Sequence, residues 1–121
     1  DCKKLKKYES SIRKKTGLVL DPYFSGTKMA WMLRNIPKAK ALAARGQLCF
    51  GTIDAYLVWK LTGGKSFKTD HSNASRTMLY NLKTQSYDQD LLKLFKLKEE
   101  MLPTIEASNG SFGKTLDIPG L

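Results

Sequence analysis

The 121 residues, 41% of them hydrophobic and 10% aromatic, suffice for one packed domain and are too few for two. No run of about 18 apolar residues occurs, which excludes a membrane-spanning helix, and the two cysteines, Cys2 and Cys49, form no disulfide framework and suit a reducing, cytoplasmic setting. The net charge of +10 is concentrated at the front, where residues 1–45 hold 12 Lys/Arg against three acids while the remaining 76 hold nine against eight. A basic front is the first requirement of a nucleic-acid footprint. Here Lys3, Lys4, Lys6, Lys7 and residues 13–15 lack interleaved stacking aromatics, so they read as a solvated helix face and no nucleic-acid partner is expected. The first residues are charged and include no Met, which predicts no signal peptide and a chain cut from a longer one.

In residues 1–16 Leu5, Tyr8 and Ile12 recur at the spacing of a narrow apolar stripe on a basic surface helix, and Gly17 supplies its stop. "LVLDPYFSG" follows as a loop, because the residue before Pro22 is pushed away from helical angles and Gly26 tolerates angles that other residues do not. A second helix starts near Thr27, carries Met29, Met32, Leu33 and Ile36 on one face and ends at Pro37, which opens a short third helix, "PKAKALAARG", closed by Gly46. "GTIDAYLVWKLTGG" has Thr52 as N-cap, Gly63 and Gly64 as stop, and apolar surface round most of the helix from Ile53, Tyr56, Leu57, Val58, Trp59 and Leu61, which puts it at the centre of the core. "KSFKTD" and "TMLYNLKT" read as short extended pieces separated by "HSNAS", a small-residue turn or helix start. Residues 87–95 make another amphipathic helix with Tyr87, Leu91, Leu92 and Phe95 inward, and the remainder is rich in turn signals with one strand expected near Phe112. The expected fold class is therefore mostly α with short β strands, in one unrepeated module over residues 1–121.

Two segments imitate a phosphate-binding P-loop, "GKS" at residues 64–66 and "GKT" at residues 113–115. The glycine that should stand five positions before Gly64 or Gly113 is replaced by Trp59 or Ser108, so the backbone amides cannot fold round phosphates, and both segments read as turns. His71 is the only histidine and, with two distant cysteines, assembles neither a His/Cys metal site nor a His-based triad. The carboxylates are scattered without a pair spaced for general acid and base work. "NAS" at Asn73 and "NGS" at Asn109 fit glycosylation acceptors but are inert in a cytoplasmic protein. Composition and motifs by themselves thus yield no catalytic residue and no metal ligand.

Residues 23–35 nevertheless fit a longer pattern. Tyr23, Ser25, Lys28, Met29, Trp31, Met32, Arg34 and Asn35 fill every specified place of a signature of the FGGY carbohydrate kinases, which this chain therefore resembles. Within that family "DPYFSGTK", "RGQLCFGTIDAYLVWKLTGG", "TDHSNASRTMLYNLKT" and "EEMLP" are similar to the glycerol kinases, so that the resemblance covers nearly the whole chain. It implies an inner segment of the N-terminal domain of an actin-like, ribonuclease H-like α/β kinase. It implies glycerol as substrate, ATP and Mg2+ as the cofactors of the parent with none bound to this segment, and a cytoplasmic homo-oligomer. It also implies that Tyr23 meets glycerol, since a phenol can pack its face on C–H groups while its O–H bonds a substrate hydroxyl. Phe24, Trp31 and Trp59 are expected in the core, and Lys28 as an ion-pair or capping partner. The family's N-terminal phosphate loop, its Arg-Glu pair and Trp on glycerol, its Asp-Gln segment with the catalytic base and its adenine-binding domain have no counterpart in this sequence, so the segment alone is expected to be inactive. The rival readings are another polyol or sugar kinase of the family and a free-standing basic module for an anionic partner, the latter distinguished by salt-dependent retention on heparin.

Overall fold

The structure, a computed structural model, describes residues 2–116. Asp1, the first residue of the expected N-terminal helix, and residues 117–121 at the end of the turn-rich tail lie outside the described residues. The elements run in the order α1 (Cys2–Leu5), a 3-10 turn (Lys6–Tyr8), α2 (Glu9–Thr16), α3 (Ser25–Asn35), α4 (Pro37–Ala44), α5 (Ile53–Leu61), β1 (Lys68–Asp70), α6 (His71–Ala74), β2 (Tyr80–Asn81), β3 (Ser86–Tyr87), α7 (Gln89–Phe95), a second 3-10 turn (Glu99–Met101) and β4 (Thr104–Glu106). No helix among the described residues is long and apolar enough to cross a membrane.

The expected N-terminal helix is interrupted by the 3-10 turn, and Gly17 ends it in the left-handed region at φ 72° with its N–H on the Arg13 carbonyl. Only Ile12 of the apolar stripe is fully buried, while Tyr8 stays partly in solvent. Pro37 opens α4, where its missing N–H costs nothing. Asp88 caps α7, its carboxylate accepting the N–H groups of Asp90 and Leu91. The antiparallel β2–β3 hairpin pairs Tyr80 with Tyr87 and Asn81 with Ser86, and β1 pairs in parallel with β4 through Lys68 and Thr104, Thr69 and Ile105, and Asp70 and Glu106.

The core is built from Ile12, Phe24, Met29, Phe50, the run Met78, Leu79 and Tyr80, then Tyr87, Leu91, Leu92 and Phe95, and Leu97, Met101 and Leu102. It is centred on the hairpin and α7, as the expected inward residues of 87–95 require. It is not centred on α5. That helix buries only Ala55, against β1, while Ile53 is 70% exposed and Tyr56, Leu57, Trp59 and Leu61 also face solvent. Its hydrophobicity predicts burial, but a helix that is apolar all round is buried only where elements exist on every side, and among the described residues α5 packs chiefly on β1. Thr52 starts α5 without a side-chain cap bond, and the strand expected near Phe112 is absent; the strand lies earlier, at β4, where Thr104 N–H joins the Phe67 carbonyl at 3.1 Å and the edge of β1 is available to pair. Trp31 and Trp59, expected in the core, are 52% and 41% exposed, and only Phe24 of the three is buried.

Candidate functional site

The loop before α3 is shaped by its own polar groups. The Asp21 carboxylate accepts the Tyr23 N–H at 2.7 Å and the Asp21 carbonyl accepts the Phe24 N–H at 3.3 Å, a tight turn of the kind Asp-Pro sequences favour. Phe24 turns inward and is covered by the Arg76 guanidinium, 5.0 Å from the ring centroid. Tyr23 turns outward, 72% exposed, with its ring edge-on to Phe24 at 5.3 Å. Lys28 donates to the Tyr23 carbonyl at 2.9 Å, so the lysine acts as the expected capping partner one turn into the helix. The Tyr23 hydroxyl has no hydrogen-bond partner among the described residues.

A second segment clamps this loop from behind. Gly26 N–H donates to the Thr77 carbonyl at 2.8 Å, and a Cβ at position 26 would stand 2.8 Å from that same oxygen. Gly26 is therefore required by the close approach of two backbones and not, as the turn chemistry suggested, by left-handed angles, since it lies inside the first turn of α3. Thr77 is held in turn by its hydroxyl, which donates to the Ala74 carbonyl at 2.7 Å and accepts the Leu79 N–H at 3.1 Å. Asp70 anchors the start of the segment by accepting from Asn73 N–H at 2.8 Å and from the Ser108 hydroxyl at 2.6 Å. The Ser108 bond, with those from Asn73, holds its carboxyl below the usual range against the opposing effect of burial. His71 shares a 2.8 Å hydrogen bond with the Tyr80 hydroxyl and is a satisfied histidine.

Arg76 and Thr77 are not marked out by the sequence, although both fall in "TDHSNASRTMLYNLKT", one of the segments similar to the glycerol kinases. They support the loop instead of facing outward, and no hydropathy pattern marks that role. Beside the loop, Pro22 and Lys28 line a concavity of about 580 Å3 together with Cys2, Lys3, Thr27, Trp31 and Met32. The exposed Trp31 thus contributes an apolar wall to this concavity. Neither P-loop imitation opens a helix among the described residues: Gly64 sits at φ 79° in the turn that closes α5, where Ser66 N–H joins the Thr62 hydroxyl at 3.1 Å, and Gly113 sits in a stretch without regular structure. A P-loop needs the glycine turn to run from a strand into a helix N-terminus. No group of His, Cys, Asp and Glu among the described residues could hold a metal ion.

The helix-dominated module with short parallel pairing has the fold of a piece of a sugar-kinase domain of actin-like type, and the chain belongs to the FGGY family of carbohydrate kinases, whose N-terminal domain profile matches residues 1–118. Its relatives there include the glycerol kinases of Bdellovibrio bacteriovorus, 57% identical, and of Rhizobium rhizogenes, 53% identical, each over 116 residues that make up 94% of this chain and 23% of the relative. Among solved structures, that of Plasmodium falciparum glycerol kinase with ADP superposes with a TM-score of 0.84 at 34% identity over 89% of this chain and 21% of that one. The gluconate kinase of Lactobacillus acidophilus superposes with a TM-score of 0.79 at 29% identity over 96% and 23% respectively. The chain therefore spans about a quarter of the length of the proteins it matches.

Proposed function

We propose that the chain is an inner segment of the N-terminal domain of a glycerol kinase, and that the full-length protein transfers the terminal phosphoryl group of ATP, bound with Mg2+, to a primary hydroxyl of glycerol to give glycerol 3-phosphate. The observation that carries this reading is the loop itself: Tyr23 stands 72% exposed on a turn fixed by Asp21, Lys28 and the Gly26–Thr77 backbone contact, in a chain more than half identical to named glycerol kinases. In this role Tyr23 binds and orients. Its ring offers a face to the glycerol C–H groups, its O–H bonds one hydroxyl, and the clamped turn holds both without reorganisation. The chemistry of transfer, Mg2+ neutralisation and proton removal is supplied by the remainder of the protein.

The partial-domain reading rests on two unfinished surfaces. A two-stranded parallel sheet is rare by itself, because parallel sheets are ordinarily covered on both faces, and α5 carries Ile53, Tyr56, Leu57 and Trp59 into solvent beside that sheet. The rest of the N-terminal domain fits there as the missing cover. The two free cysteines support a cytoplasmic, reducing location, and the homo-oligomer expected of the parent is open to sedimentation analysis. The functional test is substrate choice: steady-state kinetics of the full-length protein with glycerol, gluconate and xylulose under the same conditions are expected to favour glycerol. A preference for either sugar-derived substrate would assign the protein to another branch of the family.

A further inference from the structure

We propose, resting on the reading of Tyr23 as a glycerol contact, that Thr77 and Met78 are positioning residues for glycerol, which set the place of Tyr23 by capping α3 from a distant part of the chain. Helix starts are commonly fixed by a polar side chain at the N-cap, which satisfies one of the free N–H groups of the first turn. α3 has no such cap. Its N-cap residue is Phe24, and the Gly26 N–H in its first turn is taken instead by the Thr77 carbonyl at 2.8 Å. Tyr23 stands immediately before Phe24, and its own carbonyl is tied to Lys28 of the same helix at 2.9 Å. Where α3 starts therefore decides where Tyr23 stands, and Thr77 decides where α3 starts.

The Thr77 carbonyl is aimed by an unfavourable backbone. Met78 adopts φ 64°, in the left-handed region that residues other than glycine seldom enter. Gln85 and Lys96 share that region, but both are exposed, in the β2–β3 turn and at the end of α7, where such angles are common turn chemistry. Met78 is fully buried. Its angle ends the helical winding that runs on from α6 through Arg76 and Thr77, so the Thr77 carbonyl faces Gly26 instead of a following turn. The Thr77 hydroxyl spans the reversal, donating to the Ala74 carbonyl at 2.7 Å and accepting the Leu79 N–H at 3.1 Å. Leu79, also fully buried, lies against the same glycine, where a Cβ would stand 3.3 Å from its side chain. A left-handed core residue persists only where its surroundings over-determine it, and such residues gather where a segment must be held in one place. Here the segment held is the start of α3.

The test is steady-state kinetics of the full-length protein, for glycerol and for ATP, on Thr77→Val, Thr77→Ser, Tyr23→Phe and the Thr77→Val/Tyr23→Phe double variant. Thr77→Val keeps the shape of the side chain and removes the hydroxyl that spans the reversal. It should raise the Michaelis constant for glycerol about three- to tenfold and leave that for ATP within about twofold. Thr77→Ser keeps the hydroxyl and should bring the glycerol constant back to within about twofold of wild type. In the Tyr23→Phe background Thr77→Val should add less than about twofold, because the hydroxyl it positions is gone, whereas a purely structural threonine would multiply with Tyr23→Phe in full. Gly26→Ala presses on the same carbonyl from the other side, its Cβ standing 2.8 Å from the oxygen, and should reproduce the glycerol-specific loss if Thr77→Val does not fold. A glycerol constant unchanged by the Thr77 and Gly26 variants, equal losses for glycerol and ATP, or full multiplication with Tyr23→Phe would overturn the proposal. Failure of both variants to fold would make the contact structural and overturn it too. In each of these cases a glycerol-specific effect of Tyr23→Phe leaves the reading of Tyr23 standing, and its absence overturns both.

Discussion

Tyr23 and Phe24 are adjacent aromatics with opposite fates, and the reason is local. The Asx turn at Asp21 and the Lys28 bond to the Tyr23 carbonyl fix the backbone so that successive side chains leave on opposite sides, one under Arg76 and one into solvent. If the outward ring meets glycerol, removing its hydroxyl keeps the packing face and deletes one hydrogen bond. The net loss is about 0.5 to 1.5 kcal/mol, so Tyr23→Phe in the full-length protein is expected to raise the Michaelis constant for glycerol by about two- to twelvefold with little change for ATP. Kinetics with each substrate varied in turn measure this; an unchanged glycerol constant, or equal losses for both substrates, would mean that Tyr23 does not meet glycerol.

At the scale of elements, the tie between α2 and α7 carries a pH signature. Lys15 reaches both Asp88 at 2.7 Å and Asp90 at 2.6 Å, and Leu82 N–H closes the same corner on the Lys15 carbonyl at 3.0 Å. Burial pushes the Asp88 carboxyl up, but the bonds from Lys15, Asn81 and the Leu91 N–H outweigh it and hold it below its ordinary value. The Asp88 bond, then that of Asp90, raises the Lys15 ammonium. A depressed carboxyl contributes stability that is present above about pH 4, its unfolded value, and is lost as pH falls through the folded one; a raised ammonium contributes below about pH 10 and loses it at still higher pH. Lys15→Met is therefore expected to cost about 1 to 2 kcal/mol at neutral pH, between an exposed ion pair and a buried charged hydrogen bond. The deficit should shrink below about pH 4. Thermal midpoints of wild type and variant across pH 3–7 check it, and a gap that widens in acid would show that another group governs that limb.

For the whole molecule the decisive feature is the uncovered face of α5. Leu57 and Ile53 gain nothing in solvent, and each would contribute roughly 1.5–3 kcal/mol on full burial. Residues 1–121 expressed alone are thus expected to self-associate and to convert no labelled ATP into glycerol 3-phosphate. Leu57→Asp should make that piece more monodisperse by sedimentation, yet destabilise the full-length protein, because there the same charge would be buried against the remainder of the domain. Improved dispersity of the piece with no loss in the full-length protein would mean that α5 stays exposed in both.

Much of this molecule follows from short-range physics and was readable in the residues. Gly17, Pro37 and Gly46 mark helix ends because backbone angles and missing donors act locally, and Leu91, Leu92 and Phe95 declare the inner face of α7 because a helix repeats its direction within two turns. The signature through Tyr23, Lys28 and Trp31 located the candidate site for the same reason, as a contiguous stretch. What the residues could not declare are the relations between distant segments: that Gly26 serves a contact with Thr77, that Arg76 covers Phe24, that β1 finds β4 some 36 positions on, and that α5, the most apolar helix, lies outside the core. Apolar surface is favourable wherever water is excluded, and hydropathy does not say by whom. That choice is made only when the chain, or the longer protein it belongs to, closes over itself.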